Sequence, residues 1–281
     1  MKRLRGSCAG YAIRVNGGRV AGTGEGPGAA PGGPGPGTYD QRVRADRRPA
    51  APFRGCPIRS VRIRLPGQRG ELLARREDGV DLHHLVWRLG PGWRVCSSAV
   101  LGGGIGPRAW ILNAQVPGGY PRTDPDRHLA EIAAAAHLDG PGAGLMTAAD
   151  VTAYTTAADE GVHATATCGL GVRGWAAVPG EGTGGPPPPG TVNIVVTFPV
   201  PLSDAALVNA VATATEAKVQ ALLDAGLDCS GTPTDAVCVA APAVSPDTGA
   251  AEPFAGPRSR WGARLARAVH AAVLEGALRQ P

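Results

Sequence analysis

A lysine sits where a helix should be apolar. The stretch TATEAKVQALLDAGLDCSGTPTD, from Thr213 to Asp235, reads as a polar-studded helix that ends in a Gly/Ser/Thr turn leading into a strand. At roughly 100° per residue, the helix from Asp204 to Ala225 puts Leu207, Val211, Ala214 and Leu222 on one face. Asn209, Thr213, Glu216 and Gln220 fall on the other, while Lys218 and Thr215 lie inside the apolar arc. A buried ammonium costs several kcal/mol unless it is paired or lines a polar cavity. Either the long stem carries the charge to the rim, or the turn brings Thr232, Thr234 and Asp235 alongside Lys218 as a site.

Other residues could also do chemistry. The segment WRVCSSAVLGGGIG is a strand running into Gly102, Gly103 and Gly104, a turn that permits positive φ and leaves backbone N–H groups uncovered. Such a turn can cradle a phosphate or an oxyanion, or be only a tight turn. No Lys-Ser/Thr follows it, so it is no Walker motif. Asn113 stands between apolar neighbours in RAWILNAQV and must find partners, as a backbone clamp or a ligand contact. His128 sits near the apolar arc of a helix that Asp124-Pro125 starts, either as a core histidine or as a base. His83 and His84 point to opposite faces of any strand, which argues against a shared metal.

The elements that would position these residues follow from periodicity. ELLARRE and DLHHLVWRL read as strands, with SVRIRL near Ile58 before them. TAAD, Thr147 to Asp150, resembles a capping box at a helix start. GVHATATCGLG alternates His163, Thr165 and Thr167 against Val162, Ala164, Ala166 and Cys168, giving one polar face. TVNIVVTFPV is the most apolar strand and DAVCVAAP another buried one, with Ser203 and Ser259 capping the helices beside them. The expected fold is a single α/β domain with a mixed β-sheet and three packed helices.

The 281 residues carry 43% apolar side chains, enough for a sizeable core, but only 4% aromatic ones, so that core is built from Ala, Val, Leu and Ile. The net charge of +5 is unevenly placed: residues 1–76 hold 16 Lys/Arg against 4 Asp/Glu, and residues 77–281 hold 12 against 19. The basic part is Gly/Pro-rich and lacks interleaved aromatics, which speaks against a nucleic-acid partner. Its composition predicts a disordered extension over residues 1–52 and a folded region over 53–281. Six cysteines form no CxxC pair and no zinc-type spacing, and they fit a reduced cytosol. No apolar run reaches membrane-span length and no h-region follows the start, so the expected location is cytoplasmic.

The strings CSSAVLGGGIGPRAWILNAQVP, GLMTAADV, TATCGLG, GTVNIVV, PLSDAALVNAVATATEAKVQAL, SGTPTDAV and GPRSRWGARLARAV occur in this order over roughly residues 93–275. Together they resemble the adenosylcobinamide amidohydrolase family. Pro233 departs from the small residue the family pattern leads one to expect. The resemblance implies hydrolysis of the amide joining aminopropanol to the corrin side chain, giving adenosylcobyric acid for cobalamin salvage. It also implies a small-molecule corrinoid substrate whose cobalt is not an enzyme metal, with no separate cofactor. The uncharged groups of Asn113, Thr165, Thr167, Asn193, Thr215, Thr232 and Thr234 suit a corrinoid rimmed by amides. A non-catalytic corrinoid-binding or carrier protein is the alternative.

Amide hydrolysis needs a nucleophile, an oxyanion stabiliser and a proton donor for the leaving amine. One arrangement uses Thr232 or Thr234, or a water held there, with Asp235 or Glu216 as base, Lys218 as charge stabiliser or acid, and the triple glycine at the oxyanion. Another uses Ser97 or Ser98 with His128 as base. The position of Lys218 predicts that Lys218→Ala abolishes turnover and leaves the fold intact, which an activity assay beside circular dichroism checks.

Overall fold

The computed structural model describes residues 69–177 and 190–280. The expected extension, the start of the folded region and the strand near Ile58 lie outside those residues. Glu71–Glu77 (β1) and Val80–Arg88 (β2) form a hairpin across Asp78-Gly79, whose φ values of 49° and 80° are those of a two-residue hairpin turn. Trp93–Ser97 (β3) and Gly104–Pro107 (β4) form a second hairpin. Trp110–Gln115 (β5), helix Pro125–Ala135 (α1) and Gly142–Thr147 (β6) make a crossover with parallel strands. Thr155–Asp159 (β7) and Val162–Gly169 (β8) pair antiparallel, followed by Thr191–Thr197 (β9). Helix Asp204–Asp224 (α2) crosses to Ala236–Pro242 (β10), which lies parallel to β9, and helix Arg260–Leu278 (α3) closes the chain.

The strands pair in two mixed sheets. One has the order β1-β2-β5-β6 and the other β4-β3-β10-β9-β8-β7. They pack face to face through Leu85, Trp87, Ile111, Ala143 and Leu145 on one side and Val95, Val195, Cys238 and Ala240 on the other. Leu129, Ile132 and Ala133 of α1 cover the outer face of the smaller sheet, against Val86, Leu112 and Ala114. α2 and α3 cover the outer face of the larger one, against Val192, Ile194, Val196, Val237 and Val239. The result is four layers, helix, sheet, sheet and helix pair, in the α/β class with three helices that the periodicity predicts. The second sheet explains why the polar face of β8 is buried: Thr165 and Thr167 look across the seam between sheets rather than into solvent.

Several local expectations are corrected. Thr147 ends β6, and its hydroxyl accepts from Ala149 N at 3.0 Å, while Asp150 caps only the short 3₁₀ turn Val151–Ala153. Asp124 precedes α1 but does not cap it with its side chain, because its carboxylate is held by Arg122 at 2.8 and 2.9 Å. On α2 the two threonines exchange places. Thr213 is buried and donates to Ala255 O at 2.8 Å, whereas Thr215 is exposed and donates back to Val211 O at 2.9 Å. The buried stripe is Ala206, Leu207, Ala210, Ala214, Ala217, Ala221 and Leu222, whose small side chains let the helix lie close on the sheet. His270, expected in solvent, meets Asp224 at 2.9 Å between α2 and α3.

His84 is a buried liability. It is 4% exposed on β2, and neither ring nitrogen has a partner among the described residues. Burial, reinforced by the charges of Arg75, His83 and Arg88, pushes its pKa down to about 4. The native state therefore holds this ring neutral through a pH range in which the unfolded chain protonates it. Stability from His84 is present above roughly pH 6.5 and lost as pH falls towards 4, on the order of 3 kcal/mol in all. Urea titrations at several pH values should show His84→Leu with a shallower acid loss than the wild type; equal slopes would refute the assignment.

Candidate functional site

The site is built at one end of the double sheet. β9 and β10 start there side by side, and α2 carries Lys218 into the same place from its buried stripe. Asp235, the residue before β10, is the centre. Its Oδ1 accepts from Thr232 Oγ1 at 2.5 Å and from Val192 N at 2.8 Å. Its Oδ2 accepts from Thr232 N at 3.1 Å and from Lys218 Nζ. Both charged side chains are largely buried, at 8% and 12% exposure. The ammonium inside the apolar arc is therefore paired, and a carboxylate with four donors satisfies the requirement that a buried charge sets.

The turn that delivers Asp235 depends on Gly231. With φ of +148°, it leaves no room for a side chain: a Cβ would lie 2.1 Å from Asp235 Oδ2 and 2.5 Å from Lys218 Nζ. Ser230 fastens the turn to the segment after β8, accepting from Ala176 N at 2.8 Å, while Gly174 N donates to Gly231 O at 3.0 Å. Thr234 Oγ1 donates to Gly190 O at 3.1 Å, so the 2.6 Å contact with Thr191 Oγ1 has Thr191 as donor. Thr232 is half-buried and Thr234 exposed, which leaves Thr232 as the hydroxyl that touches both the carboxylate and the surface.

A second polar group crosses the seam beside this cluster. Asn193 Nδ2 donates to Asn113 Oδ1 at 2.9 Å and to Met146 O at 3.0 Å, and Asn113 Nδ2 donates to Thr167 Oγ1 at 3.0 Å. Asn193 Oδ1 is buried without a partner among the described residues. Both of these Asn113 bonds are to side chains across the seam and neither is to backbone. Thr165, on the same strand face, lines a separate recess of about 310 Å³ with Arg69, Tyr154, Thr156 and His163.

The remaining predicted residues are placed elsewhere or otherwise engaged. Glu216 and Thr215 are exposed and make no bond to Asp235. Ser98 continues the pairing of β3 with β10, and its hydroxyl accepts from Val237 N at 3.1 Å. His128 is on the buried face of α1, which covers the outer face of the smaller sheet, and it is bonded to Tyr120 and Glu77 rather than to Ser98. Gly102 and Gly103 answer first to packing: a Cβ would meet Gly142 O at 2.0 Å or Ala99 O at 2.5 Å, and Arg108 holds the Gly102 carbonyl at 2.7 and 2.9 Å. Gly104, at φ +80°, begins β4. A cleft of about 560 Å³ opens at the opposite end, against Arg88, Trp93, Pro107, Arg108, Trp110 and Pro141. None of the predicted binding threonines or asparagines lines it. Thr191, Val192 N and Gly231 were missed by sequence reasoning, although GTVNIVV and SGTPTDAV contain all three.

The sequence model of the family described as adenosylcobinamide amidohydrolase matches residues 70–281. An adenosylcobinamide amidohydrolase from Methanosarcina mazei is 31% identical over 185 residues, covering 64% of this chain and 88% of the relative. The chain belongs to the adenosylcobinamide amidohydrolase family. It is accordingly a hydrolase of an amide bond, and the matched span contains the whole Asp235 cluster. No helix among the described residues is long and apolar enough to cross a membrane.

The ion pair changes what a lysine substitution does. Removing one partner strands a buried charge, at about 3–5 kcal/mol, so Lys218→Ala cannot leave the stability of this family member untouched, contrary to the expectation from sequence. Lys218→Met and Asp235→Asn should each lower the urea midpoint strongly, and the double variant should recover part of that loss. Single variants with wild-type midpoints would show that the pair does not form in solution.

Proposed function

We propose that this chain hydrolyses the amide between aminopropanol and the corrin side chain of adenosylcobinamide, releasing adenosylcobyric acid that re-enters coenzyme synthesis. Family membership supports the substrate. The observation that carries the mechanism is the hydrogen bond of Thr232 Oγ1 to Asp235 Oδ1 at 2.5 Å, because it joins a half-buried hydroxyl to a buried base that other groups orient.

Thr232 is the nucleophile and Asp235 takes its proton. Lys218 and Val192 N hold the carboxylate in line; the lysine acts on the base rather than on substrate. As the C–N bond breaks, Asp235 passes the proton it took to the departing amine and the acyl group rests on Thr232 as an ester; water then attacks the ester, giving a proton to Asp235, which returns it to Thr232 as the acid leaves. Thr234, tied to Thr191 and Gly190, braces the turn, and Asn113, Asn193 and Thr167 brace the seam behind it. The corrinoid, cobalt included, is substrate.

Purified protein incubated with adenosylcobinamide, with and without a chelator, should yield adenosylcobyric acid by mass spectrometry in both. Thr232→Val should retain corrinoid binding and lose turnover by roughly 100- to 10,000-fold, whereas Thr232→Ser should keep much of it. Corrinoid that is bound without release of aminopropanol would point instead to a carrier. Turnover by Thr232→Val near the wild-type rate would remove Thr232 from the reaction.

A further inference from the structure

Polar side chains gather without partners at the edge of the larger sheet. β7 is the last strand of that sheet, and its pairing with β8 sets Thr156 opposite Thr165 and Ala158 opposite His163, so all four side chains share one face. Tyr154, just before β7, and Arg69, shortly before β1, join them around the recess of about 310 Å³. The rest of its lining is glycine and alanine, and no carboxylate contributes. Asp159 and Glu160, at the turn between β7 and β8, are bonded instead to Arg267 and Arg264 of α3.

The side chains of Arg69, Tyr154, Thr156, His163 and Thr165 make no hydrogen bond or ion pair among the described residues. Thr165 matters most, because it is only 6% exposed and a buried hydroxyl left unpaired is costly. Thr167, two residues further along the same face, is also buried, and its hydroxyl accepts from Asn113 Nδ2. Thr165 lacks such a neighbour among the described residues and borders the recess instead. Its hydroxyl calls for a ligand there.

We propose that this recess binds the phosphate group of a small phosphate monoester, held by Arg69 through charge and by Tyr154, Thr156, His163 and Thr165 through hydrogen bonds. The lining decides the class of ligand. A guanidinium, three hydroxyls and an imidazole can all donate, and nothing in the lining carries negative charge, so an oxyanion meets donors where a cation meets none of its needs. A carboxylate offers two oxygens, whereas a phosphate monoester offers three and up to twice the charge, which better matches this set. The recess is also larger than a bare phosphate, leaving room for a small organic body against the alanines. His163 is coupled to the charge. Burial, reinforced by Arg69, holds its pKa below the ordinary imidazole range. Arg69 is the charged group of the lining and Tyr154 its other titratable one, while Asp159 and Glu160 are taken by α3. A phosphate dianion in the recess outweighs Arg69, so the ring takes up a proton as the anion binds and keeps it to higher pH.

The site is tested by binding alone, so it stands or falls apart from the amidohydrolase reading. Isothermal titration of the full-length protein with inorganic phosphate should show saturable binding at one site, and ribose 5-phosphate should bind more tightly than the ion. Arg69 is exposed, so Arg69→Gln leaves the core intact; it should weaken binding by roughly 10- to 100-fold, and Thr165→Val by roughly 10-fold. The imidazole resonances of His163, identified by their loss in His163→Gln, should titrate at higher pH with phosphate present than without it. No saturable binding, or binding that Arg69→Gln and Thr165→Val leave unchanged, would overturn the site. Equal affinity for ribose 5-phosphate and the ion would give the recess to free phosphate and overturn the ester.

Discussion

The carboxylate of Asp235 is the point on which this architecture turns. Four donors converge on it from three places: a backbone N–H at the start of β9, an ammonium from the buried face of α2, and the N–H and hydroxyl of Thr232 in the turn before β10. Each partner would be costly to bury alone. The ammonium needs a counter-charge, the carboxylate needs its lone pairs filled, and the strand edge needs an acceptor. Bringing them together satisfies all three and locks helix, strand and turn in one register. Gly231 is the geometric condition for this, since a side chain there would occupy the space between carboxylate and ammonium.

The two-sheet arrangement explains the rest of the polar interior. Most of the seam is apolar, closed by Trp87, Ile111, Val95 and Cys238. At the end near Asp235 it becomes a row of amides and hydroxyls, in which Asn113 bonds Asn193 and Thr167 while Thr147 accepts from Ala149 N. Polar contacts of this kind specify how one sheet lies on the other, because a shift of one residue would bury every one of them unpaired. The outer helices have different work. α2 and α3, both rich in Ala, lie against the sheet, and α3 approaches β8 closely enough that Gly276 leaves no room for a Cβ against Cys168 Sγ.

What was legible in the sequence followed from local rules. Strands with strict alternation, the Ser203 and Ser259 caps and the oddity of Lys218 could all be read from residue spacing, because each depends on neighbours a few positions away. The partner of Lys218 could be named only as an alternative, since a turn of small residues does not state which way its carboxylate points. Thr213 and Thr215 changed places because the wheel weighs apolar side chains, while the buried stripe of α2 is mostly alanine, and Thr213 has a carbonyl waiting at Ala255. The TAAD segment forms neither the reciprocal capping bonds nor the helix: Thr147 accepts from Ala149 N and Asp150 caps the short 3₁₀ turn that follows. Glu77, Tyr120 and His128 come from three separate segments with no shared motif. Only the fold brings them together.

In the proposed reaction the carboxylate that stabilises the end of the sheet is also the base, and its four donors are not equivalent. Two are backbone N–H groups fixed by the strand and the turn, and a third is the ammonium that pairs with Oδ2. The Thr232 hydroxyl alone among them is a donor whose loss of a proton creates a nucleophilic oxygen, and Thr232 is the less buried of the two donating side chains. When that proton moves to Oδ1, the charge on the carboxylate falls while the other three contacts persist, so the structure that positions the base is not dismantled by its protonation. A carboxylate held by fewer groups would be freer to accept a proton but less well aimed at one. Here aim is secured by the fixed donors, and reactivity is confined to the one bond that can exchange.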